Sequence, residues 1–444
     1  MSYKPVISLV GRTNVGKSTL FNRLTKTRNA IVADFPGLTR DRHYGEANIA
    51  FHKFIVIDTG GLEPNSKDVF SAKIASQTNQ AILESDVIIF LLDARSGICN
   101  QDYEIAKMLR KIANKRIFMA INKSEGMSLE KFDSDFYKMG LGKPYLISSS
   151  HGDGIYNLFE SALSDFPTEN DLDIDPPSNN NIRLAIVGKP NVGKSTLINS
   201  IIGEERLIAF DMPGTTKDSI DVDFSIKDRN YVLVDTAGIR KKSKVFDYVE
   251  KFSVVKTLQS IESSNVVLLV LDACSDISEQ DAHIAGFILE SGKAIVIAIN
   301  KCDSVKPEEM KNIERTFQRK MHFLSFARMH MISAIKKYNI RSLFDSINEA
   351  YESTFANLST PKINRLLKLA VEKQPPPKKN ILRPKMRYAH QGGQNPPVIV
   401  IHGNSLDLIP KSYVRFLESF FRKEFSLTGT PLRIDFKSSN NPYV

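Results

Sequence analysis

The chain has 444 residues, of which 42% are hydrophobic and 25% charged, and its formal net charge is +10. A chain of that length is too long for one hydrophobic core, so two to four domains are expected, and the composition is that of a soluble globular protein without low-complexity tracts. The longest apolar runs, 87–92 and 266–271, are strand-sized, well short of the roughly 20 residues of a membrane helix. Three cysteines, Cys99, Cys274 and Cys302, have no metal-ligand spacing and cannot all pair, which favours a reducing compartment.

Two stretches of the chain repeat the same succession of apolar segments. Strand-sized runs alternate with helix-length segments, which predicts an α/β fold with a mostly parallel sheet and helices on both faces. Ligands of such folds bind at the carboxyl ends of the strands, where every motif described below falls. The predicted strands are 6–10, 54–59, 87–94 and 117–123 in the first stretch and 184–188, 231–236, 266–273 and 294–301 in the second.

A phosphate-binding loop is written twice, at 11–18 (GRTNVGKS) and at 188–195 (GKPNVGKS). One chance match to G-x-x-x-x-G-K-[ST] has odds of about 2%, so two matches predict two nucleotide-binding domains. The lysine of each loop should reach the β- and γ-phosphates, and the serine after it should bind Mg²⁺. The predicted nucleotide contacts are Gly11, Arg12, Thr13, Asn14, Val15, Gly16, Lys17 and Ser18, and Gly188, Lys189, Pro190, Asn191, Val192, Gly193, Lys194 and Ser195.

A base-reading motif follows each loop, at 121–125 (INKSE) and 299–303 (INKCD), and both resemble the N-K-x-D motif of GTPases. The carboxylate accepts hydrogen bonds from guanine N1–H and the exocyclic amine, which are donors that adenine lacks. GTP and GDP are therefore predicted at both sites, although Glu125 is one methylene longer than the expected aspartate. The predicted base contacts are Asn122, Lys123, Ser124, Glu125, Asn300, Lys301, Cys302 and Asp303, with the backbone amides of Ser149 and Ala334 in a later loop.

Two D-x-x-G strings, at 58–61 and 235–238, match a switch whose aspartate supports Mg²⁺ and whose glycine amide senses the γ-phosphate. Thr39 and Thr216 match the catalytic threonine that closes on Mg²⁺. The residue after each string stands where Ras-like enzymes carry a water-orienting Gln, and its apolar side chain predicts slow turnover. The predicted contacts are Asp58, Thr59, Gly60, Gly61, Leu62, Asp235, Thr236, Ala237, Gly238 and Ile239. The predicted Mg²⁺ ligands are Ser18, Thr39, Asp58, Ser195, Thr216 and Asp235.

The C-terminal segment carries the net charge. From Phe355 to Val444 the sequence has 15 Lys+Arg and 5 Asp+Glu, which favours nucleic-acid binding over a merely solvated surface. Helices at 362–373 and 412–425, paired strands at MRYAHQ and PVIVIHG, and a last strand at 431–437 predict a small α+β domain. Its aromatic residues have mostly core spacing and so predict no base-stacking platform: Tyr388, Tyr413, Phe416, Phe420 and Phe421.

Essentially the whole chain resembles the Der (EngA) family of bacterial ribosome-assembly GTPases. The resemblance rests on the paired NVGKS loops, DFPGLTRDR with DMPGTTKDS, DTAGIRKKSKV, YAHQGGQNPPVIVIHGN and GTPLRIDFK. It implies tandem Ras-like P-loop GTPase domains at 1–167 and 182–355, an acidic linker at 168–181, and a KH-like domain at 356–444. That last domain has no GxxG loop, so the resemblance implies RNA contact without sequence-specific clamping.

The resemblance also implies a function. The protein would hydrolyse GTP, contact ribosomal RNA, and help mature the large (50S) ribosomal subunit in the bacterial cytoplasm. The nucleotide state would rearrange its domains and so gate ribosome binding. We expect a monomer without membrane association or DNA specificity. The alternative is an RNA-binding scaffold whose GTPase domains are structural and barely hydrolyse, which a turnover assay with and without large-subunit RNA would test.

A monovalent cation completes the expected chemistry. No arginine finger can be assigned from the sequence, so another positive charge is needed near the phosphates. Asn14 and Asn191 match the residue with which related GTPases hold K⁺, and both are therefore candidate catalytic residues beside Lys17 and Lys194. The alternative is that the two asparagines only shape their loops.

Overall fold

The chain divides into two compact units, one of Met1–Pro176 with Ser253–Val255 and one of Pro177–Phe252 with Lys256–Val444. Within the residues that are described, no helix is long and apolar enough to cross a membrane. The structure is a computed structural model that describes residues 4–25, 32–34, 43–59, 81–112, 115–127, 135–166, 181–202, 221–226, 229–234, 254–378 and 384–438.

The first repeated stretch forms a seven-stranded sheet. Its strands are β1 (Val6–Val10), β2 (Val32–Asp34), β3 (His43–Ile49), β4 (His52–Asp58), β5 (Val87–Asp93), β6 (Arg116–Asn122) and β7 (Tyr145–Leu146). They lie in the order β2-β3-β4-β1-β5-β6-β7, with β1 parallel to both β4 and β5. Strand β3 runs antiparallel to its two neighbours, so the sheet is mostly parallel, as predicted.

Helices cover both faces of this sheet. They are α1 (Lys17–Thr25), α2 (Asn100–Arg110), α3 (Asp135–Lys138) and α4 (Ile155–Leu163). One core cluster joins the strand residues Ile7 and Leu91 to α1 and α4, and another joins Ile88 and Phe90 to α2. Strand β5 is buried along its whole length, which explains its uninterrupted apolar sequence.

The second repeated stretch forms a six-stranded sheet. Its strands are β8 (Ile182–Val187), β9 (Val222–Ile226), β10 (Arg229–Leu233), β11 (Val266–Asp272), β12 (Ala294–Asn300) and β13 (Met329–Met331). Their order is β13-β12-β11-β8-β10-β9, with only β9 antiparallel to its neighbour among these strands. The helices are α5 (Lys194–Ile202), α6 (Val254–Glu262), α7 (Glu279–Glu290), α8 (Pro307–Lys320) and α9 (Ile340–Thr354).

The C-terminal part forms a small α+β layer pair, as predicted. Its elements are α10 (Thr360–Lys373), β14 (Lys385–Gly393), β15 (Val398–Asn404), α11 (Lys411–Glu424) and β16 (Arg433–Ser438). Strand β15 lies between β14, with which it is antiparallel, and β16, with which it is parallel. Its core contains residues of both helices and of all three strands, among them Leu367, Ala389, Ile401, Leu417 and Ile434.

The aromatic residues of this part lie mostly in or against the core, as their spacing predicts, with one exception. Tyr413 and Phe421 are buried, as their spacing predicted, but Tyr388 is 46% exposed. Successive residues of a strand point to opposite faces of the sheet, and the neighbouring Ala389 occupies the core face. The side chain of Tyr388 is therefore left on the face away from the helices.

Backbone hydrogen bonds join this part to the second sheet within one compact unit. The amide of Ile295 at the start of β12 donates to Gly429 O at 2.7 Å, and the amide of Gly429 donates to Phe326 O at 2.9 Å. The amide of Asn395 donates to Thr354 O at 3.1 Å, and the guanidinium of Arg422 lies over the ring of Phe326. Main-chain bonds of this kind fix the junction without depending on flexible side chains.

Candidate nucleotide-binding sites

Both phosphate-binding loops share one backbone conformation. In the first, Asn14 and Gly16 have φ of 64° and 98°, and the second repeats these angles at 64° and 96°. Glycine adopts such left-handed angles freely, and asparagine adopts them more readily than most residues. A Cβ on Gly16 would also lie 2.3 Å from Asn122 Nδ2, and one on Gly193 would lie equally close to the second base-reading asparagine. Glycine is thus required at these positions by backbone angle and by close approach.

The lysine of each loop folds back onto its own loop. Lys17 Nζ donates to the carbonyl oxygens of Gly11 at 3.1 Å and Arg12 at 2.7 Å. Lys194 makes the corresponding bonds at 3.1 and 2.6 Å. Burial lowers the pKa of Lys17 to about 8, although the nearby charge of Asp58 opposes this shift. Since these carbonyls hold the ammonium at the loop, a phosphate that binds there meets a cation already in place.

The base-reading asparagine ties the phosphate-binding loop to the last loop. In the first copy, Asn122 Nδ2 donates to Val15 O at 2.8 Å, and Asn122 Oδ1 accepts from the amide of Ser149 at 2.9 Å. In the second copy, Asn300 makes both bonds at 2.9 Å with the corresponding residues. A side-chain amide has two N–H donors, so one remains for a ligand. The asparagine therefore has a structural role in addition to the one the sequence predicts.

The base-reading lysine makes a second tie to the same loop. Lys123 Nζ donates to Asn14 O at 2.9 Å and to Asp93 Oδ2 at 2.6 Å. In the second copy, Lys301 makes the equivalent bonds at 2.8 and 2.6 Å, the latter to Asp272. Parallel pairing sets Asp93 beside Asn122 at the carboxyl ends of β5 and β6. The stem of the lysine is held across the place where the sequence predicts the base.

The two base-reading carboxylates are held differently. Glu125 Oε1 accepts from the hydroxyls of Ser148 at 2.7 Å and Ser150 at 3.3 Å, while Oε2 accepts from Arg95 Nη2 at 3.1 Å. The hydrogen bond from Ser148, the residue's own backbone and Arg95 together lower the pKa of Glu125 to about 2. In the second copy, the hydroxyl of Ser333 is the main cause of a lowered pKa of Asp303. Both acids are ionised and ready to accept hydrogen bonds at neutral pH.

Several predicted contacts have other partners in this structure. The amides of Ser149 and Ala334, assigned to the base by the sequence, donate to the base-reading asparagines. A base that uses them has to share or replace those bonds. Thr59 Oγ1 donates to Leu9 O at 2.6 Å, which fixes the end of β4 to β1. The side chains of Ser124 and Cys302, at the variable position of each motif, are buried and do not face solvent.

An ion pair links each phosphate-binding loop to a helix, which follows β5 in the first copy and β11 in the second. Arg12 Nε lies 3.3 Å from Asp102 Oδ2, and Lys189 Nζ lies 2.8 Å from Asp281 Oδ2. Both aspartates are fully buried in the third position of their helices, α2 and α7, where they also accept the backbone amide of the N-cap residue. The second loop residue is thus an anchor of the loop, which the sequence did not reveal.

The switch residues lie largely outside the described part of the chain. Asp58, at the end of β4, is described and nearly fully buried. The threonines predicted to close on Mg²⁺ and the remaining switch positions are not described: Thr39, Gly60, Gly61, Leu62, Thr216, Asp235, Thr236, Ala237, Gly238 and Ile239. Their predicted roles stay predictions.

Sequence reasoning missed five acidic and basic supports of these sites, which are Asp93, Arg95, Asp102, Asp272 and Asp281. Asp93 and Asp272 are the last residues of their strands, and their position in the repeated strings LLDA and LVLDA was a usable signal. Arg95 and Asp102 carried no such signal, because their partners lie far along the chain. A pairing across 30 or more residues follows from the fold and not from a local pattern.

Comparison with known proteins identifies the family. The family described as "50S ribosome-binding GTPase" matches residues 6–123 and 183–301, and the "KH-domain-like of EngA bacterial GTPase enzymes, C-terminal" family matches residues 357–437. GTPase Der of Bordetella pertussis is 60% identical over 449 residues, covering 100% of this chain and 99% of that protein. The chain belongs to the Der family of GTPases. It is accordingly a GTP-hydrolysing enzyme that binds guanine nucleotides, and the resemblance drawn from the sequence is confirmed.

Other relatives belong to the same family. GTPase Der of Bordetella petrii is 59% identical, covering 100% of this chain and 99% of that protein, and GTPase Der of Burkholderia multivorans is 56% identical, covering 99% of each. Among solved structures, Era in complex with MgGDPNP and a segment of 16S ribosomal RNA is 24% identical, covering 58% of this chain and 92% of that chain, with a TM-score of 0.29. The family matches, two to the GTPase family and one to the KH-like family, give the architecture of the chain: tandem GTPase domains followed by a KH-like domain.

Proposed function

We propose that this GTPase acts in the assembly of the large ribosomal subunit and that its nucleotide state gates its binding to that particle. The observation that carries the proposal is the duplication of one nucleotide site ahead of a basic, KH-like domain. Two such sites are more than an RNA scaffold requires, and the family's description as 50S ribosome-binding supports the same partner. The action would take place in the bacterial cytoplasm, where ribosomes assemble, and the protein would act as a monomer.

We assign the boundaries 1–167, 182–355 and 356–444 to the three domains, with the acidic linker at 168–181. The phosphate-binding loops would hold the phosphates of GTP and the loops after β6 and β12 its base. Mg²⁺ prefers hard oxygen ligands, which the hydroxyl of Ser18 and the buried carboxylate of Asp58 supply in the first copy. When bound, the ion would neutralise charge between the β- and γ-phosphates. Thr39 completes the proposed set, and Ser195, Thr216 and Asp235 form its counterpart.

Guanine specificity is tested at the base-reading carboxylate. Asp303→Asn should shift the second site toward xanthine nucleotides, since an amide can donate to the xanthine oxygen that replaces the guanine amine. Nucleotide competition against labelled GDP measures the shift. Equal competition by ATP and GTP in the unmodified chain would overturn the base-reading assignment at both sites.

The function is tested by cosedimentation of the full chain with purified 50S subunits. We expect binding with a non-hydrolysable GTP analogue and weaker binding with GDP. Lys17→Ala and Lys194→Ala, made separately, should each reduce the difference between the two nucleotide states, because each removes a phosphate contact. Turnover measured with and without the subunits distinguishes the alternative scaffold function. Nucleotide-independent binding together with negligible turnover would contradict the proposal.

The proposed potassium site has a sharper test than removal of the asparagine. Asn14 has a φ of 64°, an angle that glycine adopts without cost, so Asn14→Gly removes the side chain and keeps the loop. If the side chain holds K⁺, this variant should lose the stimulation of turnover by KCl over NaCl at equal ionic strength. It should retain its affinity for GDP. Asn191→Gly is the matching change at the second site, and equal rates in the two salts for the unmodified chain would exclude the cation.

A further inference from the structure

Three ring side chains stack on the three-stranded sheet of the C-terminal domain. The ring centroids of Tyr388 and His390 are 5.7 Å apart, with an interplanar angle of 25°. Those of His390 and His402 are 5.2 Å apart at 22°, and those of Tyr388 and His402 are 6.0 Å apart and tilted at 42°. The three rings thus form one contiguous group, which we call the ring stack.

The ring stack lies on the sheet face that the helices do not cover. In the register of β14 with β15, Tyr388 is opposite His402 and His390 is opposite Val400. The alternate residues Ala389 and Ile401 are opposite each other and belong to the core. Tyr388 is about half exposed. An aromatic ring left open to solvent beside two imidazoles is available to a planar ligand.

Cationic side chains border the ring stack. Lys437 is the partner of His402 in the pairing of β15 with β16, and Lys385 and Arg387 stand on β14 before Tyr388. All three cations are exposed. Asp435 is an exposed carboxylate on the same strand as Lys437, so the described border carries more positive than negative charge. A ligand that combines flat rings with a polyanionic backbone complements both features.

We propose that the ring stack is a stacking site for unpaired bases of RNA. The proposal rests on the ribosomal function proposed above and names the kind of RNA that the KH-like domain contacts. Aromatic side chains bind bases of any sequence through their faces, while neighbouring cations follow the phosphates. Bases within a duplex are already stacked on each other, so the site selects single strands, loops and bulges. It lies on the sheet and does not depend on the GxxG loop that this chain lacks.

The test compares single-stranded RNA of mixed sequence with a duplex of the same length. Tyr388→Ala in the full chain should raise the Kd for the single strand by about 5- to 150-fold and leave the Kd for the duplex unchanged. Tyr388→Phe should bind like the unmodified chain, because the ring is retained. Tyr156→Ala serves as the matched control, since Tyr156 is a similarly exposed tyrosine in the first GTPase domain.

Salt dependence separates stacking from charge. The slope of log Kd against log salt counts neutralised phosphates, so Tyr388→Ala should not change it, whereas Lys437→Gln should reduce it by about one. An unchanged Kd for Tyr388→Ala, or an equal loss on the duplex, overturns the inference. A ring stack that instead binds a protein leaves both RNA affinities unchanged. Failure of the unmodified chain to bind 50S subunits would count against the proposed function. Single-stranded RNA binding that is unaffected by Tyr388→Ala counts against the ring stack alone.

Discussion

Glu125 shows how one residue can depart from a motif and keep its chemistry. Its longer side chain is held by two serines and by Arg95, whereas Asp303 in the second site relies mainly on Ser333. The second site has Cys274 where the first has Arg95, and both donate their amides at 2.9 Å to the aspartate that ends the preceding strand. The additional hydrogen bonds from Arg95 and Ser150 are thus made to Glu125, the longer of the two base-reading acids.

We therefore expect the contribution of Arg95 to GDP affinity to depend on the glutamate at position 125. Arg95→Ala should raise the Kd of GDP at the first site by roughly two- to fivefold, because an exposed ion pair contributes modestly. In a Glu125→Asp background the same change should have no effect, since the shorter carboxylate does not reach Arg95. Labelled GDP binding measures both, with Asp303→Asn present throughout to silence the second site. Cys274→Ala is the matched control, and equal losses in the two backgrounds would contradict the coupling.

Lys17 predicts a pH dependence at the first site. Its pKa of about 8 without nucleotide is low because of burial, and the phosphates of a bound nucleotide would raise it. Above about pH 8, Lys17 is therefore largely deprotonated in the nucleotide-free site, and nucleotide binding requires the uptake of a proton. The affinity for GDP therefore falls as pH rises. Calorimetry at pH 8, in buffers of different ionisation enthalpy, should detect uptake of a fraction of a proton per GDP. Lys17→Met removes the titrating group, and the same uptake in that variant would assign the proton elsewhere.

At the scale of elements, the repeated ion pair anchors each loop to a helix. The same contact is made by Arg12 with Asp102 and by Lys189 with Asp281, although cation and N-cap residue differ between the copies. The second oxygen of each aspartate is buried without a hydrogen-bond partner among the described residues. The loop cation is thus the main charge that compensates a buried carboxylate.

Removing the loop cation should destabilise its domain. We expect Arg12→Met to lower the free energy of unfolding of the first GTPase domain by about 1–3 kcal/mol, the cost of leaving a buried charged group without its partner. Arg12→Lys, which copies the second loop, should restore most of the loss. Urea unfolding of the full chain measures both. If Arg12→Met and Arg12→Lys are equally stable, the pair has no anchoring role.

At this scale, the features that the sequence predicted are those that repeat at a fixed spacing. The loops at 11–18 and 188–195 and the strands around them follow from periodicity and glycine placement, and the fold class is confirmed. The bridge from Asn122 to Val15 could not be predicted, because it joins residues 107 positions apart through the sheet. The exposure of Tyr388 could not be predicted either, because strand spacing does not tell which face of the sheet the helices cover.

At the scale of the whole molecule, the junction between the second GTPase domain and the KH-like domain depends on a close contact at Gly429. Gly429 has a φ of 69°, and a Cβ there would lie 2.5 Å from Ala350 Cβ and 3.2 Å from Ile295 O. A side chain at this point would both strain the backbone and push the two domains apart. The junction therefore depends on the absence of a side chain.

We expect Gly429→Val to loosen the junction. Strain and close contact together should cost about 1–3 kcal/mol, and the amide of Ile295 should exchange with solvent faster because it donates to Gly429. Native-state hydrogen exchange measures that amide directly. Gly142→Val is the matched control, since Gly142 also has a positive φ but no atom lies within 4 Å of its Cβ position. Unchanged protection of Ile295 in Gly429→Val would show that the domains are held elsewhere.

Strand β12 makes a structurally important contact near each of its ends. Near its start, the amide of Ile295 donates to Gly429 of the KH-like domain, and its last residue, Asn300, begins the base-reading motif of the second site. The distance between these ends is about 17 Å, at the rise of an extended chain. A substitution within β12 that alters its length or tilt would act on guanine recognition and on the placement of the proposed RNA-contacting face together. Nucleotide preference and the position of the face proposed to contact RNA are therefore coupled through this one strand.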